Sequence, residues 1–514
     1  MRWLGCGMAG AAVLAGGLAL AQKGAAPAPP LKVTVLATTD EHGWLEPLTQ
    51  KGQDSYQGGM AYLMGQLVGR EGYRPRDAVL LSGGDMWTGP YEDTVLQGRP
   101  MVQIMNAMGY DAASIGNHDF DFGQEALQKR AHEAGFPLLS ANLFIRGTRS
   151  PPPYVRTHTL TEAAGVKVGL VGLTTLETPY TTDARNLGGL ELGPYEEALQ
   201  RVVPEARAQG AQVVVLLAHA DLNEMRPLAP LLRRLGVSLV ICGHRHNGKL
   251  ETEEGGAGIA DDVVFCNPGP YARSYCRVDL TVDAQTGALL AQKSIIEMVA
   301  GLRSKPSYAP SEGILGVAAE ARTQAETRGA EVLATIPAGL TRAEPVNTMG
   351  YLVVDSWLDA LPYAEFAFTN TGGFRQDVDG GPVRMRDIIG AMPFDNYLMV
   401  VSLTTEQIMD VMENPQTLPG GLTAEVSVDA AGKRAVKRLL DRRGQPLEAG
   451  RKYRCIVNDF MYRGGDRYRL KEYDPNPEET AMHWREPVVR YLRAAGKAGK
   501  PVTVATSPRL RPVP

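Results

Sequence analysis

The stretch Ala113-Ser114-Ile115-Gly116-Asn117-His118-Asp119-Phe120-Asp121-Phe122-Gly123 decides the fold. Ala112, Ala113 and Ile115 read as the end of a buried strand, Gly116 as a turn, and the rest as a polar burst anchored by two phenylalanines. An amide oxygen, an imidazole and a carboxylate in succession suit a loop that holds something charged. The same grammar recurs along the chain. Residues 31–37 run into Thr38-Thr39-Asp40-Glu41-His42-Gly43, and residues 78–81 into Ser82-Gly83-Gly84-Asp85. Residues 213–218 end in His219, and residues 237–241 run into Cys242-Gly243-His244-Arg245-His246. A further strand is expected over 166–173, with helices over 60–68, 101–108, 124–134 and 195–208. Strands alternating with helices predict an α/β arrangement. Polar groups at strand C-termini are what such a sheet offers a ligand.

At 514 residues the chain is too long for one ordinary core, so two domains are expected. The composition, 44% hydrophobic and 21% charged, is that of a globular protein. A formal charge of −4 excludes broad binding to a nucleic acid polymer and confines phosphate chemistry to a local site. Residues 1–21 carry Arg2, an apolar run from Ala9 to Leu20 and a small-x-small ending, Ala19-Leu20-Ala21, as in a cleavable export signal. The run is short for a bilayer span, and Cys6 precedes it where a lipid-bearing cysteine would follow it. The expectation is a periplasmic or secreted protein with no membrane anchor after cleavage. No protein partner is suggested. Residues 22–30 form a Pro/Ala tether. Cys266 and Cys276 flank an Asn-Pro-Gly-Pro turn, and two readings stay open for them, a bridge or buried thiols. With Cys242 and Cys455 they show no CxxC spacing, which argues against a thiolate metal site.

The texture changes near residue 300. The Ser/Pro-rich segment 304–310 and a helix over about 312–327 form a linker, set at 301–340. It separates a domain at 31–300 from a second unit at 341–514, with strands at 365–369, 397–403 and 453–457 and helices at 350–360 and 405–414.

Five of the eight histidines fall at strand ends: His42, His118, His219, His244 and His246. A lone histidine is more often structural than ligating; five at equivalent positions are not. Asp40 and His42, two apart, can face one ion. Asp85 follows two glycines that let the backbone approach, and its two oxygens can bridge two cations. With Asn117, His219, His244 and His246 this makes seven ligands, enough for two four-coordinate sites sharing a carboxylate. Nitrogen and oxygen donors without sulfur suit zinc, manganese, cobalt or iron. Two such ions form a device for in-line displacement at phosphorus. His118 is expected to face the phosphate, with one ring nitrogen held by Asp121; a helix cap is the other reading of Asp121. Asp119 is expected to be solvated or a cap.

Asp40-Glu41-His42, Gly83-Gly84-Asp85, Gly116-Asn117-His118-Asp119, His219 and Gly243-His244-Arg245-His246 together resemble the calcineurin-like metallophosphoesterases. Their order is similar to that of the 5′-nucleotidase family across nearly the whole chain. The resemblance implies an αββα sandwich followed by a smaller α/β 5′-nucleotidase C-terminal domain. It implies two divalent ions, one on Asp40, His42, Asp85 and His246, the other on Asp85, Asn117, His219 and His244, with His118 and Asp121 as the catalytic dyad. Arg245 replaces a common threonine and Ala218-His219-Ala220-Asp221 lacks a common glycine; neither change removes a ligand.

In the second unit, Asn370-Thr371-Gly372-Gly373-Phe374-Arg375 joins a strand end to a guanidinium suited to phosphate. Phe394 and Phe460 sit in polar loops and can stack on a base, and Asp466 follows Gly464-Gly465 where it can accept from a ribose diol. The bland readings are that both phenylalanines are core anchors and that Arg375 pairs Asp377 or Asp379. Arg342 is a weaker phosphate candidate. The resemblance implies that the two phenylalanines stack on the base and that Asp466 holds ribose. The expected substrate is a small-molecule nucleotide, a nucleoside 5′-phosphate, with closure about 300–340 gating the reaction. The rivals are a 2′,3′-cyclic phosphodiesterase or nucleotide-sugar hydrolase of the same family, a thiosulfohydrolase, and a non-catalytic nucleotide-binding surface protein. Asn117 and His118 argue against the thiosulfohydrolase, which carries a Gly-His-Trp-Glu type of block there. The seven retained ligands argue against the non-catalytic protein.

Overall fold

Strand Leu31–Thr38 is buried from Val35 onward; it pairs parallel with Val79–Ser82 on one side and antiparallel with Ser274–Val282 on the other. The computed structural model describes residues 28–49, 56–246, 257–260, 263–286, 289–298, 308–343, 345–429 and 433–513. The expected export signal, most of the tether and the start of the linker lie outside these. Among the described residues the first sheet runs Leu289–Met298, Ser274–Val282, Leu31–Thr38, Val79–Ser82, Ala112–Ser114, Leu138–Leu139. A second sheet runs Ala257–Ala260, Val263–Cys266, Val237–Cys242, Val213–His219, Val166–Thr174, His158–Ala163.

The period-2 alternation of strands sorts their side chains into layers. Val33, Val35, Val79 and Leu81 of the first sheet share one apolar cluster with Leu170, Val215, Leu217 and Ile241 of the second. Leu36 and Leu80 turn the other way, onto helices Met60–Glu71 and Arg99–Met108. Val214, Leu216 and Val240 meet helix Tyr195–Ala208. The result is the expected helix–sheet–sheet–helix sandwich. Each buried aliphatic side chain contributes on the order of 2 kcal/mol, so the strand ends are held firmly beneath their loops. Cys266, ending a strand of the second sheet, is bridged to Cys276 in the first; Cys242 and Cys455 are buried free thiols.

Helix Glu312–Gly329 buries Ile314, Ala318, Ala321 and Ala325 at spacings of four, three and four, the stripe of one helix face. The first three join the N-terminal helical layer. Strand Val332–Ile336 pairs with Gly381–Arg384, and Leu333 and Ile336 enter the core that follows. The segment expected as one linker is thus split by its packing. The C-terminal sheet runs Thr417–Gly420, Phe366–Asn370, Lys452–Asn458, Tyr397–Thr404, Glu478–His483, packed against helices Thr348–Ala360 and Glu486–Lys497. No helix among the described residues is long and apolar enough to cross a membrane.

Candidate functional site

The loops after Leu31–Thr38 and Val79–Ser82 continue to pair beyond their strands. Gly83, Asp40, His42 and Gly43 donate their N–H groups to the carbonyls of Thr38, Gly84, Asp85 and Met86 at 2.8–3.0 Å. This zipper forces Asp40 (φ 51°), His42 (φ 47°) and Asp85 (φ 56°) into left-handed backbone, as His244 (φ 72°) is in its own loop. Four side-chain-bearing residues in that costly region, on converging loops, mark a functional site. Glycine is required at Gly116, where a Cβ would stand 2.1 Å from Asp85 Oδ1, and at Gly84 (φ 97°).

All seven expected ligands converge. Donor atoms of Asp40, His42 and His246 lie within 4.8 Å of one another, as do those of Asp85, His219 and His244. His42 Nε2 is 2.9 Å from His246 Nε2, which is 3.3 Å from Asp40 Oδ1. Asn117 Oδ1 is 3.2 Å from His219 Nε2 and 3.0 Å from His244 Nδ1. Two donors on one ion at ~2.1 Å sit ~3–3.5 Å apart, so these spacings fit. The shared carboxylate differs from expectation. One oxygen, Asp85 Oδ2, faces both sets, 3.1 Å from His219 Nε2 and 3.7 Å from His42 Nε2. Its Oδ1 accepts the His118 N–H at 2.8 Å.

The remaining ring nitrogens are also engaged. His42 Nδ1 lies 3.1 Å from the Thr88 carbonyl and His219 Nδ1 2.9 Å from that of Gly83. His246 Nδ1 is 3.1 Å from Tyr271 Oη, and His244 Nε2 is 3.0 Å from Glu177 Oε2. These contacts assign Nε2 of three histidines and Nδ1 of His244 to the centre. Burial disfavours every charge here, yet the imidazoles of His219 and His118 hold Asp85 well below the usual carboxylate range. Against its own burial, His219 is pushed up to about 10, chiefly by Asp85. The buried N/O donor set fits divalent cations.

His118 Nδ1 donates to Asp121 Oδ2 at 2.8 Å, and Asp121 Oδ1 accepts from Thr182 Oγ1 at 2.9 Å. Asp121 does not cap the helix Gly123–Glu133, which begins without a side-chain cap. Of the two readings of Asp119, solvated or a cap, the solvated one is corrected: it is buried and accepts the N–H groups of Gly116, Met86 and Asp85 at 2.8–3.1 Å. It clamps the Asn117 loop onto the Asp85 loop. Tyr271 (φ 66°) and Glu177 were not anticipated; both follow strands of the second sheet, Val263–Cys266 and Val166–Thr174.

A cleft of about 400 Å³ opens beside this centre, lined by Asn117, His118, Asp121, His244 and His246 from one domain. From the other, Asn370, Arg375, Phe394, Phe460 and Asp466 line it. Arg375 Nη2 reaches to 2.9 Å from His42 Nε2. Its alternative partner Asp377 is bonded instead by Arg342, which also donates to the Phe374 carbonyl and is not among the residues lining the cleft. Phe394 lies 5.6 Å from His118, ring to ring; both phenylalanines are half-buried, packed on the domain core and open to the cleft. Asn370 donates to Asp466 Oδ2 at 2.8 Å and accepts from Asn458 at 3.0 Å. Burial pushes Asp466 up to about 6, against that bond.

The calcineurin-like phosphoesterase family matches residues 33–248, and the 5′-nucleotidase C-terminal domain matches residues 328–472. The 5′-nucleotidase of Vibrio cholerae is 24% identical over 519 residues, covering 90% of each chain. A 5′-nucleotidase precursor of Thermus thermophilus has a similar structure (TM-score 0.80, 24% identity, 94% of this chain and 99% of that one). The sulfate thiohydrolase SoxB of Thermus thermophilus, solved with glycerol, shares the fold (TM-score 0.72, 19% identity, 94% and 96% covered).

Proposed function

The chain belongs to the 5′-nucleotidase family and is a phosphoester hydrolase; on that premise we propose that it cleaves nucleoside 5′-monophosphates to nucleoside and phosphate. The observation that carries this reading is a single cleft bounded by the His118–Asp121 pair on one domain and by Arg375, Phe394, Phe460 and Asp466 on the other. Asp40, His42, Asp85 and His246 would hold one divalent ion, and Asp85, Asn117, His219 and His244 a second. When bound, the two ions would supply an activated water and offset charge on the phosphoryl oxygens.

The chain's own groups do the rest. The Arg375 guanidinium binds the phosphate, and Phe394 and Phe460 hold the base by stacking. With Nδ1 fixed by Asp121, His118 has Nε2 left for the cleft and passes a proton there to the departing 5′ oxygen. Export is part of the proposal: residues 1–21 have the pattern of a signal, and the Cys266–Cys276 bridge suits an oxidising compartment.

Three measurements test parts of this. Among AMP, bis-p-nitrophenyl phosphate, 2′,3′-cyclic AMP and thiosulfate, AMP is expected to have the highest kcat/KM; a reversed order would transfer the chain to the rival concerned. Arg375→Lys should raise the KM for AMP by ~10–100-fold, because an ammonium cannot reproduce the guanidinium fork and a charge-assisted hydrogen bond is worth about 1.5–3 kcal/mol. Asp466 must be ionised to accept from ribose, so inhibition by the product adenosine should weaken as pH falls through about 6. Asp466→Asn should bind weakly at every pH; a flat profile in the parent enzyme would remove Asp466 from ribose recognition.

A further inference from the structure

Glu177 lies in the Thr174-Thr175-Leu176-Glu177-Thr178-Pro179 segment after strand Val166–Thr174. It precedes the short helix Thr178–Thr181, yet its side chain makes no capping bond to it. The carboxylate is spent elsewhere, one oxygen in each direction. Oε2 accepts from His244 Nε2 at 3.0 Å and from Arg245 Nη2 at 2.8 Å, both on the loop that carries two candidate ligands. Oε1 accepts from Arg467 Nη2 of the C-terminal domain at 2.7 Å.

We propose that Glu177 is a positioning residue that turns the His244 ring toward its ion and, through Arg467, couples that ring to the substrate-holding loop of the other domain. This rests on the reading of His244 as a ligand and of Asp466 as the ribose contact. Two features set the contact apart from an ordinary surface pair. The His244 and Glu177 side chains are only 7% and 19% exposed, so their hydrogen bond is shielded and directional. It accounts for the one histidine of the four that presents Nδ1 rather than Nε2 to the centre. Arg467 is 71% exposed and its ion pair alone would contribute little. Arg467 and its neighbour Asp466, however, both hold left-handed backbone (φ 63° and 49°), with one residue between them and another left-handed position at Gly464 (φ 96°). A turn under that strain needs outside grips. It has them in Asn370 to the Asp466 side chain, Asn414 to the Asp466 carbonyl, and Glu177 to Arg467. The same carboxylate therefore fixes a metal ligand and the turn that presents Asp466.

The test begins without substrate. Apo full-length protein titrated with cobalt should show, for Glu177→Gln, one of two ions bound ~10–100-fold more weakly and the other within threefold. Arg467→Gln should leave both ion affinities within twofold and raise the KM for AMP about fivefold or more. Adding it to Glu177→Gln should raise KM no further. In the wild-type holoenzyme, which does not depend on a variant folding, ring-nitrogen NMR should show one ligand histidine protonated at Nε2 and three at Nδ1. Unchanged ion affinity in Glu177→Gln, or four alike tautomers, would overturn the assignment to His244, and additive KM effects would overturn the coupling. Weakened ion binding in a protein that leaves AMP intact would instead count against the nucleotidase reading and leave the role of Glu177 standing.

Discussion

Asp85→Asn is expected to lower turnover by ~10⁴-fold or more and to release both ions rather than one. The reason is geometric. A single oxygen, Oδ2, faces both ligand sets, so there is no carboxylate oxygen in reserve for the second. The other oxygen holds the His118 N–H, and the Gly116 Cα is packed so closely that no larger residue could take up the slack. An amide of the same shape offers one neutral oxygen where two cations need a shared anion. Metal content after dialysis, read by mass spectrometry alongside phosphate release, checks this. Retention of both ions with more than a tenth of the activity would show that Asp85 is not the bridge.

His118→Ala is expected to do the opposite in metal content and nearly as much damage in rate. Both ions should remain, because His118 belongs to neither ligand set, while kcat falls ~10²–10⁴-fold with a small change in KM. Asp121→Asn should follow the same pattern more mildly, since it alters only the group that fixes the ring. Loss of metal in His118→Ala would place the imidazole among the ligands.

Much of this was legible because chemistry and topology coincide. His219 ends its strand and Asp40, Asp85, Asn117 and His244 follow theirs in the next loop, and a strand end is visible in a sequence as an apolar run meeting a polar burst. What the run cannot show is how the loops cross. The left-handed backbone at Asp40, His42 and Asp85 arises from the pairing of two loops more than 40 residues apart. Asp119, expected in solvent or as a cap, is buried where three N–H groups from two loops converge on it, and neither loop alone reveals that. Glu177 and Tyr271 were within reach, since both follow strands parallel to those that carry ligands, and applying the strand-end rule to every strand would have flagged them. The packing of residues 332–336 was hidden in the sequence for a different reason. Val332–Ile336 is short and partly exposed, and its pairing with Gly381–Arg384 and the burial of Leu333 and Ile336 place it with the C-terminal core.

The most direct test is phosphate release from AMP by the protein stripped of metal by chelation and then reloaded, with occupancy measured in the same sample. The account predicts one phosphate and one adenosine per AMP consumed, none after chelation, and recovery as both sites refill. Two ions bound and no phosphate released from AMP would contradict it.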